Sequence, residues 1–310
     1  MRLIAPEDYG DFVCLASACR HSCCEGWEID VDAASAARYQ TVPGPFGERL
    51  RAALAEKDGT PVFRTDERGR CLLLREDGLC ELILQLGEEQ LCAICRDHPR
   101  FRSFFRGRTE IGLGLCCEEA ARRLVCRTAP ARLCVLSDDG SGEEPLPEEQ
   151  ELLAYREAWM NAVRNPSLSW PQRVDALLEE PLRKALSPAL WADFLCGLEI
   201  LDPRWPGRLR ALKGDPRPLT GAAWDFPSGE LAAYFLYRHL PGALEDGRWE
   251  ARACLALLAA ELIRALCACA AEPGPEDLAE AARLLSSELE YSEENLEAVL
   301  NRLEEVIACG

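Results

Sequence analysis

Ten of the seventeen cysteines in this 310-residue chain fall before residue 118, at Cys14, Cys19, Cys23, Cys24, Cys71, Cys80, Cys92, Cys95, Cys116 and Cys117. What such a set can do depends on the compartment. The opening "MRLIAPEDYGDF" offers an apolar run only from Leu3 to Ala5 before a proline and acids intervene, which is too short for a secretory core, so a cytoplasmic protein is expected. Thiols stay reduced there, and clustered reduced thiols usually hold metal rather than form disulfides. The adjacent pairs Cys23–Cys24 and Cys116–Cys117 argue the same way. A bridge between neighbours closes a strained ring, whereas two neighbouring thiolates can both point at one metal or at two irons of one cluster. Cys92 and Cys95 form a C-x2-C pair, whose single tight turn brings two thiolates to one ion. The expected ligands are therefore Cys19, Cys23, Cys24, Cys71, Cys80, Cys92, Cys95, Cys116 and Cys117. A plainer fate, that of a small buried hydrophobe, suits Cys14 and the seven later cysteines, Cys267 and Cys269 included. Two structural zinc ions would use eight thiolates and one four-iron cluster three or four, and the spacing fits both.

The cysteines divide the chain, and so does charge. Residues 1–136 carry 19 Lys and Arg against 21 Asp and Glu, while residues 137–310 carry 16 against 32, so nearly all of the net charge of −18 sits in the later part. That balance disfavours nucleic acid and anionic membrane as partners, and suits a cationic partner or simple solubility. The division predicts a cysteine-rich metal-binding region at 1–136, a Gly-, Pro- and acid-rich linker at 137–150, and an acidic all-helical region at 151–310. In the first region short pieces alternate with Gly, Pro and Cys; helices are expected at "PFGERLRAALAEK" and "CCEEAARRLVC", and a strand at "TEIGLGL". In the last region apolar residues recur at i, i+3, i+4 and i+7, with Ser169–Trp170–Pro171 and Ser187–Pro188 as helix starts. "CLALLAAELIRALCACAA" is apolar, but Glu261 and Arg264 interrupt it, so it reads as a buried helix and not a membrane span. The fold class expected is mainly α: an irregular, metal-organised α+β cysteine-rich N-terminal region packed on an all-α C-terminal helical region.

The blocks "PEDYGDFVCLASACRHSCCEGWEIDVD", "GPFGERLR", "GRCLLLREDGLCELILQLGEEQLCAICRDHPRF", "EIGLGLCCEEAARRL", "LEILDPRW", "YFLYRHL" and "SEENLEAVLNRLEE" together resemble the flagellin lysine-N-methylase family, whose cysteine-rich region is shared with zinc- or iron-chelating proteins. The resemblance implies an enzyme that uses S-adenosylmethionine to methylate lysine side chains of flagellin, with an iron–sulfur (4Fe–4S) cluster as its metal centre and zinc as the alternative. It places the family's cysteine pattern on Cys14, Cys19, Cys23, Cys24, Cys71, Cys80, Cys92, Cys95 and the Cys116–Cys117 region, accompanied by Trp27, Arg96, Pro99 and Arg100. A different class of function stays open beside it: a non-catalytic metal-binding protein whose metal staples the fold and whose acidic helices bind a protein.

Two common signatures of methyl transfer are not met. The radical pattern C-x3-C-x2-C finds Cys19 and Cys23, but Gly26 stands at its third thiol. "EIGLGLC" resembles the glycine turn of nucleotide-binding α/β methyltransferases, yet Cys116 replaces the last glycine and no series of βα units follows. The segment "CRDHPRFRSFFRGR" sets Arg96, Arg100, Arg102, Arg106 and Arg108 among aromatic residues. Guanidinium groups there suit the carboxylate of S-adenosylmethionine, with Arg96, Arg100 and Arg102 as the expected binders, or they offset the negative charge of a thiolate-rich cluster, or they form a solvated basic face. His98 reads as a turn residue, His21 as exposed, and "YFLYRHL" as a buried structural face carrying Tyr234, Tyr237 and Arg238.

Overall fold

A computed structural model describes residues 1–214 and 217–309. The chain forms two compact units, one of Val13–Arg100 and the other of Met1–Phe12 with Phe101–Gly310. It is mainly α, and among the described residues every strand ends by Asp138. Compactness and composition cut the chain at different places. The stretch 137–150 contains the end of the strand Leu133–Asp138 and the start of the helix Pro147–Val163, both in the second unit.

The Val13–Arg100 unit holds a three-stranded antiparallel sheet in the order Ile29–Asp30, Thr60–Phe63, Leu54–Lys57. Four short helices accompany it: Ala33–Gln40, Gly44–Ala52, Glu81–Leu86 and Ala93–Asp97. Asp32 caps the first of these, accepting from the backbone N–H of Ser35 at 2.9 Å, and its other oxygen accepts from Ala93 N–H at 2.9 Å. One carboxylate thus ties two helix starts together. The apolar core is small, built on Ile29, Val31, Tyr39, Leu50, Phe63, Leu73 and Leu82, with Cys71 and Cys92 buried among them.

In the other unit a four-stranded sheet runs in the order Arg100–Phe105, Arg108–Leu113, Arg2–Pro6, Leu133–Asp138. Arg2–Pro6 is parallel to Arg108–Leu113 and antiparallel to Leu133–Asp138. Gly107, at φ +73°, closes the tight turn between the first two strands, a conformation other residues adopt at a cost. The helices Ala222–His239, Trp249–Ala268 and Pro275–Glu290 form the centre, with Trp170, Trp191 and Trp205 buried around them. Most residues of Trp249–Ala268 are apolar and buried, so neighbours cover the helix on nearly every side. Among the described residues no helix is long and apolar enough to cross a membrane. The helix that carries "YFLYRHL" starts at Ala222 and runs through Pro227 to His239, although a proline in the sequence reads as a helix stop.

Candidate functional site

The Val13–Arg100 unit gathers six thiols. Backbone pairing does most of the gathering, because Cys71 N–H donates to Cys24 O at 2.8 Å and an isolated bridge joins Leu74 to Cys80. Cys92 stands immediately before the helix Ala93–Asp97, and Cys95 lies one turn into it. Trp27 closes the loop that bears the adjacent pair: its indole N–H donates to Cys23 O at 2.7 Å. The side chains then interact. The hydrogen bond with Cys95 brings the Cys92 thiol down to about 7, while Cys95, on the other side of that bond and mostly buried, holds its proton more firmly than a free thiol. The Cys23–Cys24 hydrogen bond likewise lowers Cys24. Burial pushes Cys71 up to about 12 and raises Cys80, and both feel the charges of Cys24 and Cys92. Thiols that lose a proton easily thus sit beside thiols that keep theirs. Among the described residues, no three His, Cys, Asp or Glu side chains already converge as ligands of one ion.

Of the remaining expected ligands, Cys19 belongs to the same unit and Cys116 and Cys117 to the other. Cys19 is half-buried and its thiol faces His21 O at 3.2 Å. Cys116 and Cys117 belong to the other unit, following the strand Arg108–Leu113 and preceding the helix Glu118–Val125. There the Cys116 thiol donates to Tyr291 Oη at 2.9 Å, and burial pushes it up to about 12. The plainer fate of a buried hydrophobe holds for Cys254 and Cys267; Cys14, Cys126 and Cys309 are exposed, and Cys134, Cys196 and Cys269 are half-buried. Those positions lie at loops, a sheet edge or helix ends, where the core does not reach. His98 is in a turn as expected, whereas His21 is half-buried rather than exposed.

The arginine run divides by strand geometry. Arg96 ends the helix Ala93–Asp97 and Arg100 donates to its carbonyl at 3.3 Å. Side chains alternate along Arg100–Phe105, so Arg102 and Phe104 point outward while Phe105 is buried. Arg106 pairs with Glu143, and Arg108 with buried Glu110. The glycine pattern of "EIGLGLC" has a packing cause at Gly112, where an added Cβ would lie 2.4 Å from Cζ of Phe101. The space beside that backbone belongs to an aromatic ring. "YFLYRHL" is buried as expected, around a carboxylate that periodicity does not reveal: Glu290, fully enclosed, accepts from Tyr234 Oη at 3.0 Å, lies 2.7 Å from His239 Nε2 and pairs with Arg238 at 3.1 Å. Tyr234 also accepts from Leu115 N–H at 3.1 Å and from Arg238 at 3.0 Å, which uses all its hydrogen-bonding capacity. It is a structural tie.

No family model matches the chain, and no solved structure matches it. Curated proteins do. The Lysine-N-methylase of Salmonella typhimurium is 28% identical over 120 residues, 37% of this chain and 30% of that protein. The Lysine-N-methylase of Salmonella choleraesuis matches to the same extent. The Flagellar biosynthetic protein FliU of Salmonella muenchen is 27% identical over 120 residues, 37% of this chain and 71% of that protein. The resemblance to the flagellin lysine-N-methylases stands. The match spans 30% of the length of the lysine-N-methylases themselves, so it reaches only part of what those proteins contain.

Proposed function

We propose that the chain is a cytoplasmic protein-lysine N-methyltransferase that acts on flagellin with S-adenosylmethionine as methyl donor, and that its Val13–Arg100 unit holds an iron–sulfur cluster. The observation that carries this reading is the coincidence of six neighbouring thiols in one small unit with a likeness to proteins named lysine-N-methylases. The donor set fits a soft, thiolate-bound metal. Metal ligands must be deprotonated, and the lowered Cys92 and Cys24 are thiols that ionise first. Cys24, Cys71, Cys80, Cys92 and Cys95 are the residues that would hold it, with Cys23 beside them. S-adenosylmethionine, when bound, supplies an electrophilic methyl group; the chain's own task is to admit a lysine side chain, exclude water around it and leave its nitrogen unprotonated for polar transfer.

The test is anaerobic purification with metal analysis and optical spectroscopy, followed by incubation with flagellin and S-adenosylmethionine and mass spectrometry of the flagellin lysines. Iron and sulfide in the protein together with 14-Da increments on lysine are expected. A colourless protein with stoichiometric zinc and unmodified flagellin would favour a structural metal in a binding protein and would overturn the enzymatic reading.

A further inference from the structure

The unit of Met1–Phe12 with Phe101–Gly310 contains a cavity of about 1030 Å³. Pro6 and Leu113, the last residues of its two parallel strands, both line it. Six arginines share the wall: Arg108, Arg123, Arg127, Arg132, Arg156 and Arg164. Glu7, Asp8 and Glu157 line it as well, so six cationic side chains stand with three acidic ones in a chain of net charge −18, and most of the arginines are held in place. Arg156 donates to both oxygens of Glu110 at 2.7 and 2.8 Å; Arg127 does the same to Asp8 at 2.8 Å each; Arg164 grips Glu230 at 2.6 and 2.9 Å. Arg123 is anchored by the carbonyls of Asp8 and Asp11, at 3.1 Å each.

The balance fails at one point. Buried Glu110 is shared by two guanidiniums, Arg108 and Arg156, so this trio carries a net positive charge. Arg108 also has a buried Nε with no hydrogen-bond partner. A desolvated guanidinium N–H left unmade is costly, and a bound carboxylate would satisfy both the hydrogen bond and the charge. The lining also includes the apolar Leu115, Leu124, Leu153 and Met160. A ligand suited to this lining has a carboxylate for the unbalanced arginines, cationic charge for Glu7, Asp8 or Glu157, and a body that meets the apolar residues. The volume lies at the top of the range for small-molecule sites, enough for a nucleoside-sized ligand beside a long aliphatic side chain.

We infer that this cavity is the site of the methyl donor, with the carboxylate of S-adenosylmethionine bound at Arg108. The inference rests on the methyltransferase reading above and gives it a place. It selects the last arginine of the Arg96–Arg108 run; Arg96, Arg100 and Arg102 do not line this cavity.

The experiment is isothermal titration of the full chain, purified anaerobically, with S-adenosylhomocysteine, which keeps the carboxylate and carries no methyl group. Adenosine, which lacks the carboxylate, and ATP are titrated in parallel. The variant is Arg108→Gln, in which Glu110 keeps its two bonds to Arg156 and the fold is preserved. Exposed Arg302→Gln is the control. Binding of S-adenosylhomocysteine is expected to weaken about tenfold or more in Arg108→Gln and to stay unchanged in Arg302→Gln, the worth of one charge-assisted hydrogen bond. Adenosine is expected to bind the native chain about tenfold or more weakly than S-adenosylhomocysteine, for the same reason, without any mutation. Unchanged affinity in Arg108→Gln, or adenosine binding as well as S-adenosylhomocysteine, would overturn the assignment and leave the methyltransferase reading standing. Binding of ATP with no binding of S-adenosylhomocysteine, or no binding at all, would overturn both.

Discussion

Single thiols in this protein differ more in surroundings than their sequence spacing suggests. Cys71 and Cys95 are packed against other thiols in the Val13–Arg100 unit, while Cys254 is packed among alanines and leucines of the other. Serine at Cys71 or Cys95 is therefore expected to abolish metal retention, and serine at Cys254 to retain it, as read by iron content per chain after desalting. Full metal content in the first two variants would place the site elsewhere. Asp32 offers a separate test through pH. The N–H groups of Ala93 and Ser35 hold its carboxyl down to about 2, below the ordinary 3.8. A depressed carboxyl contributes stability above its unfolded value, and that contribution disappears as pH falls from about 4 towards 2. Asp32→Ala should cost about 1 kcal/mol at neutral pH, the usual worth of a helix cap. Urea midpoints of native and variant proteins should converge below pH 2, and a constant gap at all pH values would show that the charge plays no part.

At the level of elements, apolar packing is supplemented by buried ion pairs between strands and helices. Glu110 on the strand Arg108–Leu113 and Arg156 on the helix Pro147–Val163 are both almost fully enclosed, with side chains 1% and 4% exposed. Such a pair adds little over a well-packed apolar pair, yet removing one partner leaves an uncompensated buried charge. Glu110→Gln is expected to destabilise the protein by about 3–5 kcal/mol in chemical denaturation, more than a large core truncation at a half-buried site would. A loss under 1 kcal/mol would mean that water reaches Arg156. Element positions were mostly legible from periodicity and caps: Trp170–Leu177, Pro188–Cys196 and Trp249–Ala268 fall where Ser–Pro starts and apolar spacing put them. The beginning of Ala222–His239 was not, because Pro227 reads as a stop. The long helix continues through that proline because its neighbours bury it on nearly every side.

Across the whole molecule, the two units differ in how much core supports them. The unit with the long helices buries dozens of apolar side chains, while Val13–Arg100 has a much smaller apolar core. Under the proposed function, a unit of that size with a small core is expected to draw much of its folding free energy from bound metal. Calorimetry of the metal-loaded protein is expected to show a transition that disappears when the metal is extracted under anaerobic conditions, while the transition of the helical unit stays within a few degrees. A single transition unaffected by extraction would show that the thiol-bearing unit folds on its apolar core alone.

The sequence by itself determined the classes of element and of chemistry: helices from 3.6-residue periodicity, a strand at "TEIGLGL", a thiol-rich early region, an acidic later one, and a likeness to the lysine-N-methylases. These are local or compositional properties, readable without knowing what touches what. Tertiary structure decided which residues meet. Cys24 reaches Cys71 through a backbone hydrogen bond 47 positions away, and Cys92 reaches Asp30 through one from its thiol. Cys116 and Cys117 follow a strand of the other unit, although they are adjacent like Cys23 and Cys24. Arg108 meets Glu110, Arg156 and a cavity wall whose residues run from Pro6 to Tyr237, while Arg102, six residues earlier, points outward on the neighbouring strand. Spacing along a chain limits only the reach between neighbours; convergence of distant side chains, and the burial that tunes their charges, comes from the packing of the folded chain.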